Sequence, residues 1–203
     1  MQCCCAVEKS TASNGKVGGP SKGKAAPKRP VARDESIEES ATLLDAAWEG
    51  RGQEVRRFLQ NIGADDEVDD DGATALHLAA AEGHAEVVRI LADGGANCDR
   101  LDARGSSALL KASKAGHEEV AKLLMDRCAS RMVDEPNEVG ETPLLSAVSK
   151  GHIGIVRLLL TQGHAKSADT PNKDGETPLN LAASKGYHDI VRSLLLEGHA
   201  KSV

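Results

Sequence analysis

The sequence predicts an all-α solenoid of short stacked helix pairs, preceded by a tail without regular structure. Three observations carry that prediction. Glycine-centred helix pairs recur at a nearly fixed interval, the apolar residues are almost all aliphatic, and the first 35 residues lack apolar periodicity. Together they describe small elements that can bury their apolar faces only against neighbouring copies of themselves.

The clearest pair lies in residues 71–96, DGATALHLAAAEGHAEVVRILADGGA. Thr74 can cap the first helix through its hydroxyl, and Leu76, Ala79 and Ala80 recur at helical spacing on one face. Gly83 can adopt the left-handed conformation that ends that helix without a Cβ penalty. Val87, Val88 and Leu91 line the second helix, which stops at Gly94 and Gly95. Helices of two or three turns are marginal alone in water, so the pair needs neighbours.

The neighbours are legible. Gly83-His84 recurs as Gly116-His117, Gly151-His152 and Gly186-Tyr187, and Gly50 precedes the series. The glycine ahead of each first helix keeps step as Gly72, Gly105, Gly140 and Gly175. Recurrence of several residue types in phase at this length means a solenoid. The last two units are near copies, GETPLLSAVSKGHIGIVRLLLTQGHAKS against GETPLNLAASKGYHDIVRSLLLEGHAKS. Pro143 and Pro178 follow Thr142 and Thr177, giving each first helix a hydroxyl cap and a preset first φ. The repeating part is expected over residues 36–203, with units near 38–68, 69–101, 102–136, 137–171 and 172–203, the first of them degenerate.

Composition agrees. Of 203 residues 40% are hydrophobic but only 1% aromatic, which suits closely stacked small helices better than a sandwich or an enzyme cleft. No apolar run approaches the roughly 20 residues that span a bilayer, and the start MQCCCAVEKS lacks the apolar core of a secretory signal. A cytoplasmic protein with free thiols is therefore the expectation for the five cysteines.

The net charge of −6 hides an asymmetry. Residues 1–33 carry seven Lys or Arg against Glu8, or +6, and the remainder carries −12. Residues 1–35 read as a disordered basic tail, rich in Gly, Ser, Ala, Lys and Pro. Gly18, Gly23 and Lys24 imitate a phosphate-binding loop, but Ala25 replaces the magnesium-binding hydroxyl and no apolar strand precedes it. Cys3, Cys4 and Cys5 beside the basic residues suggest acylation and peripheral membrane contact through residues 1–33. A plain tail, an organelle transit peptide and a nuclear-import signal at residues 27–30 stay open as alternatives.

The tetrads Thr74-Ala75-Leu76-His77, Ser107-Ala108-Leu109-Leu110, Thr142-Pro143-Leu144-Leu145 and Thr177-Pro178-Leu179-Asn180 resemble the ankyrin repeat, whose signature is a period of about 33 with T-P-L-H-x-A. The resemblance implies a stack with short β-hairpin or loop fingers and a concave binding side. Departures are the single retained tetrad histidine, His77, and Cys128 at the place of Gly95 one repeat earlier. Two extra residues also precede Gly140 and Gly175, where irregular fingers are expected.

No catalytic constellation, cofactor site or metal site is expected. His84, His117 and His152 form a ladder of one residue per unit, and stacked helices lie about 8–10 Å apart, too far to close around zinc. The resemblance gives these positions a role in supporting the turn between helices, and His77 reads as a capping partner. Cys98 and Cys128 lack metal-ligand spacing. Residues 64–72 hold six acids, but an EF-hand reading puts Leu78 at the twelfth position, where a glutamate is needed. The acidic finger reads instead as a solvated tip or as a patch steering a basic partner toward residues 65–71. Nucleic acid is not an expected partner of an acidic body.

What the resemblance implies for function is a protein-binding module: adaptor, scaffold or inhibitor. A membrane-tethered localisation factor is the alternative. Carried over by position, the partner-binding residues are Trp48, Glu49, Asp70, Asp71, Ala81, Glu82, Arg104, Lys114, Ser149, Lys150, Lys173 and Lys185. Trp48 is either a hot spot or a seal on the N-terminal edge.

Overall fold

The computed structural model describes residues 42–62, 67–128, 130–163, 165 and 169–198. All of them fall in the unit Ile37–Val203. The basic tail, including Cys3, Cys4 and Cys5, lies outside the described residues, as do Asp65 and Asp66 of the first finger.

Ten helices follow one another as five pairs among the described residues. They are α1 Leu43–Trp48 with α2 Gly52–Ile62, α3 Ala75–Glu82 with α4 Ala85–Asp93, and α5 Ala108–Ala115 with α6 Glu118–Arg127. The last pairs are α7 Pro143–Lys150 with α8 Ile153–Thr161, and α9 Pro178–Ser184 with α10 His188–Glu197. First helices pack in one row, α1 on α3 through to α9, and second helices pack in a parallel row. The all-α class is as the sequence predicts. Its only β pairing among the described residues is one antiparallel bridge, Val68 to Thr74.

Four of the five first helices start the same way because the sequence repeats a hydroxyl there; at α3 the Thr74 hydroxyl turns to the His77 ring instead and makes no cap bond to the backbone. Ser107, Thr142 and Thr177 accept the N–H of the residue three positions on, each at 3.2 Å. Thr42 does so with Asp45 at 3.1 Å, and the Asp45 carboxylate returns to the Thr42 N–H. Pro143 and Pro178 occupy the first turn, where their missing N–H costs nothing.

The buried set is aliphatic and small. Leu76, Ala79, Ala80, Val87, Val88 and Leu91 are buried, and their counterparts Leu144, Ala147, Ile155, Val156 and Leu159 repeat the pattern. Alanines at the inward positions of the first helices let neighbouring pairs approach closely. That is why a chain nearly free of aromatics still builds one continuous core.

The turn within a pair is sealed by the next pair. Gly83 sits at φ +84°, and the ring of His117 lies over it so closely that a Cβ there would be 2.5 Å from Nδ1. His117 Nε2–H donates to the Ala81 carbonyl at 3.0 Å, and His84 Nε2–H donates to the Trp48 carbonyl at 2.9 Å. The histidine ladder is thus structural, but it braces the turn of the preceding unit rather than its own. At Gly151 the ring is that of Tyr187, and over Gly186 no atom of the described residues lies within 4 Å of a Cβ placed there.

One expectation fails. Cys98 and Cys128 are joined in a disulfide, with Cα atoms 5.7 Å apart. The lack of an apolar secretory signal had pointed to free thiols throughout. Stacking brings the exit of α4 beside the end of α6, which the sequence separation of 30 conceals.

Candidate functional site

The site is built from the connections between pairs. Each carries an Asp or Asn three residues before its glycine: Asp69, Asp102, Asn137 and Asn172. The side-chain oxygen of each accepts two backbone N–H groups two and four residues ahead, as Asp69 does from Asp71 at 3.0 Å and Ala73 at 2.8 Å. Asp102 takes Arg104 and Ser106, Asn137 takes Val139 and Glu141, and Asn172 takes Asp174 and Glu176. An Asx side chain that imitates a backbone acceptor closes each finger into a tight turn. The glycines that follow, at φ between +70° and +79°, complete it.

The fingers then join one another. Ala103 N–H donates to the Asp71 carbonyl at 2.9 Å, Glu138 to Arg104 at 3.0 Å, and Lys173 to Val139 at 3.4 Å. Main-chain groups are spent on finger-to-finger bonds, so the tip side chains are left pointing to solvent. The two extra residues before Gly140 and Gly175 do not disturb these fingers, contrary to the irregularity expected from the sequence. Before Gly140 the chain after α6 forms a 3-10 turn, Ser130–Val133.

Charges within the strip are largely matched. Lys111 reaches the buried Asp102 carboxylate at 2.6 Å. Burial alone would raise the Asp102 carboxyl, but Lys111 and the N–H groups of Ser106 and Arg104 outweigh it and hold it below its ordinary range. Lys114 pairs with Glu141 at 3.1 Å, and Arg104 stands 4.0 Å from Asp71. Lys185 Nζ donates to the Ser149 carbonyl. On the opposite side, Arg56 and Arg89 converge on Glu86 and hold its carboxyl low, Arg89 being the stronger influence.

His77 ties helix to finger. Nδ1 accepts from the Thr74 N–H at 3.3 Å and pairs with the Thr74 hydroxyl at 2.9 Å, which leaves Nε2–H to donate to the Ser106 carbonyl at 3.0 Å. Burial pushes its pKa below the ordinary value, against the opposing pull of Asp102. This is the capping role expected of it, extended by a second bond into the next finger.

The predicted residues fall into groups. Asp70, Asp71, Arg104 and Lys173 are exposed on fingers, and Glu49, Glu82, Lys114, Lys150 and Lys185 are exposed at the ends of first helices. Ala81 and Ser149 are half-buried beside them. Trp48 is half-buried at the end of α1, with its carbonyl taken by His84. Asp69, counted among the acids of the first finger, is consumed inside it. Val139, which the repeat register also puts at a finger, is 56% exposed at the tip, and Leu101 and Val68 add apolar surface along the same row.

Among the described residues no group of three or more His, Cys, Asp or Glu side chains is placed to hold a metal. No helix among them is long and apolar enough to cross a membrane. The lining of the cavity beside Cys98 and Cys128 is apolar, with no converging acid–base pair in it.

No curated protein sequence matches the chain. A family model described as ankyrin repeats (3 copies) matches residues 43–134 and again 127–202. That match spans nearly all of the helix pairs, and ankyrin repeats are generally modules of protein–protein interaction. The hydroxyl caps, the braced turn glycines and the linked fingers are therefore the local chemistry of a known repeat, and the chain belongs to the ankyrin-repeat family.

Proposed function

We propose that this chain is a non-catalytic adaptor, scaffold or inhibitor that engages a partner protein through its fingers and the exposed ends of its first helices, the concave side of an ankyrin-like stack. The observation that carries the reading is the strip of fingers linked main chain to main chain. It presents Asp70, Asp71, Val139 and Lys173 in a row on a supported backbone. A preorganised surface loses little entropy on binding, which is what a recognition site needs.

The partner we infer is a protein with a basic patch opposite the first finger and an apolar contact near Val139. Asp71 is already partly screened by Arg104, and Asp70 and Glu67 are exposed beside it. Rim charges of this kind steer association and set selectivity more than they deepen affinity.

The test is recovery of the partner by the full chain from its native cell. Trp48→Ala combined with Asp70→Lys and Asp71→Lys is expected to lose that partner while keeping the wild-type circular dichroism. Recovery equal to wild type by a folded variant contradicts the site.

A further inference from the structure

A disulfide bridges the second and third helix pairs. After α4 and α8 the chain carries a glycine, Gly95 and Gly163, at the position that Cys128 takes after α6. Gly95 is left-handed at φ +85°, whereas Cys128 is extended at φ −99° and ψ 137°. The chain then enters the 3-10 turn Ser130–Val133, which accommodates the extra length before Gly140. A departure from the repeat, a cysteine where the neighbouring units carry glycine, thus falls at the residue that bonds to Cys98 in the preceding unit.

We propose that Cys98 and Cys128 form a reversible thiol–disulfide site that locks this junction, exchanging with a small thiol–disulfide couple of the glutathione class. Both cysteines are half-buried, so neither is sealed from a small reagent. Beside them lies a cavity of about 10 Å³, lined by Leu109, Leu124, Met125 and Met132. It is no larger than a single water. That void, together with two flexible thioethers, gives the sulfurs room to separate on reduction without rebuilding the core. Ala108, Leu124 and Val133 around it are buried in the stack, so both redox forms keep it.

The exchange is balanced as follows. A thiolate of the pair attacks a sulfur of oxidised glutathione, forming a mixed disulfide and releasing one glutathione thiolate. The second cysteine, as thiolate, attacks the protein sulfur of that mixed disulfide, forming the Cys98–Cys128 bond and releasing the second glutathione. Two protein thiols are oxidised, one glutathione disulfide is reduced, and the reverse sequence reopens the lock. The site acts on binding geometry through position, since Cys98 stands four residues before Asp102, which closes the second finger. Oxidation anchors the chain that leads into that finger. The inference does not depend on the binding reading above.

The test uses the full chain equilibrated across a series of reduced-to-oxidised glutathione ratios, trapped by alkylation and mapped by peptide mass spectrometry. The linked Cys98–Cys128 peptide is expected to appear and disappear along one curve approached from either direction. The oxidised form is expected to melt about 10 °C above the reduced form. Cys98→Ser and Cys128→Ser should each abolish that difference, and the triple Cys3→Ser, Cys4→Ser, Cys5→Ser variant should retain it. The proposal is overturned if both cysteines stay alkylatable at every ratio, if they stay linked at the most reducing one, or if the two forms melt together.

Discussion

Gly83→Ala is expected to destabilise the stack by about 3 kcal/mol, whereas Gly186→Ala costs only about 1 kcal/mol. Both glycines are left-handed, at φ +84° and +71°, so both substitutions meet the same backbone penalty. They differ in what lies above them. At Gly83 the new Cβ meets the His117 ring at 2.5 Å, while at Gly186 nothing among the described residues lies within 4 Å. Relieving the first clash moves a ring whose Nε2–H holds the Ala81 carbonyl, so that bond, worth about 1 kcal/mol, is lost as well. Urea midpoints of the two variants, measured side by side, check the difference. Equal losses would mean that the histidine ladder does not brace the turns.

His77→Ala is expected to cost about 3 kcal/mol at pH 7.5, the second large effect. The substitution opens a cavity in the core and strips partners from the buried Thr74 N–H and Ser106 carbonyl. His77→Leu should cost less, because Leu110 and Leu145 fill the equivalent positions in the next two units. The pair also separates packing from protonation. Burial holds the folded His77 pKa below 6.5, with Asp102 opposing and Lys111 assisting, so the unfolded chain binds the proton first as pH falls. The stability contributed by neutral His77 is therefore complete above 6.5 and is lost as pH falls from there through the lower folded pKa. Urea midpoints at pH 7.5 and 5.5 should show a decline in wild type that is smaller in His77→Leu. An equal decline in both would contradict the assignment.

Much of this was legible in the chain because ankyrin-type units repeat their chemistry. The caps at Ser107, Thr142 and Thr177, the left-handed Gly83, Gly116 and Gly151, and the aliphatic core follow from period and residue type alone. What period could not give was contact between units. That His117 covers Gly83, that Ala103 bonds to Asp71, and that Cys98 meets Cys128 depend on how one pair docks on the next. Charge was misleading for the same reason. Asp69 reads as surface acid, yet it is bound by its own finger backbone, as Asp102 is in the next finger, and Lys114 faces Glu141 across a junction. Trp48 stays divided between its two roles, half-buried at the edge of the stack and half available to a partner.

Binding is expected to use the fingers and the ends of the first helices. Carboxyl footprinting with a water-soluble carbodiimide tests it most directly, comparing the chain alone with the chain saturated by its recovered partner. Asp70, Asp71 and Glu82 are exposed on the proposed face, while Glu118, Glu119 and Asp126 are exposed on the second helices. The first group is expected to lose labelling in the complex while the second keeps it. Protection confined to Glu118, Glu119 and Asp126 would put the partner on the second helices and overturn the proposed face.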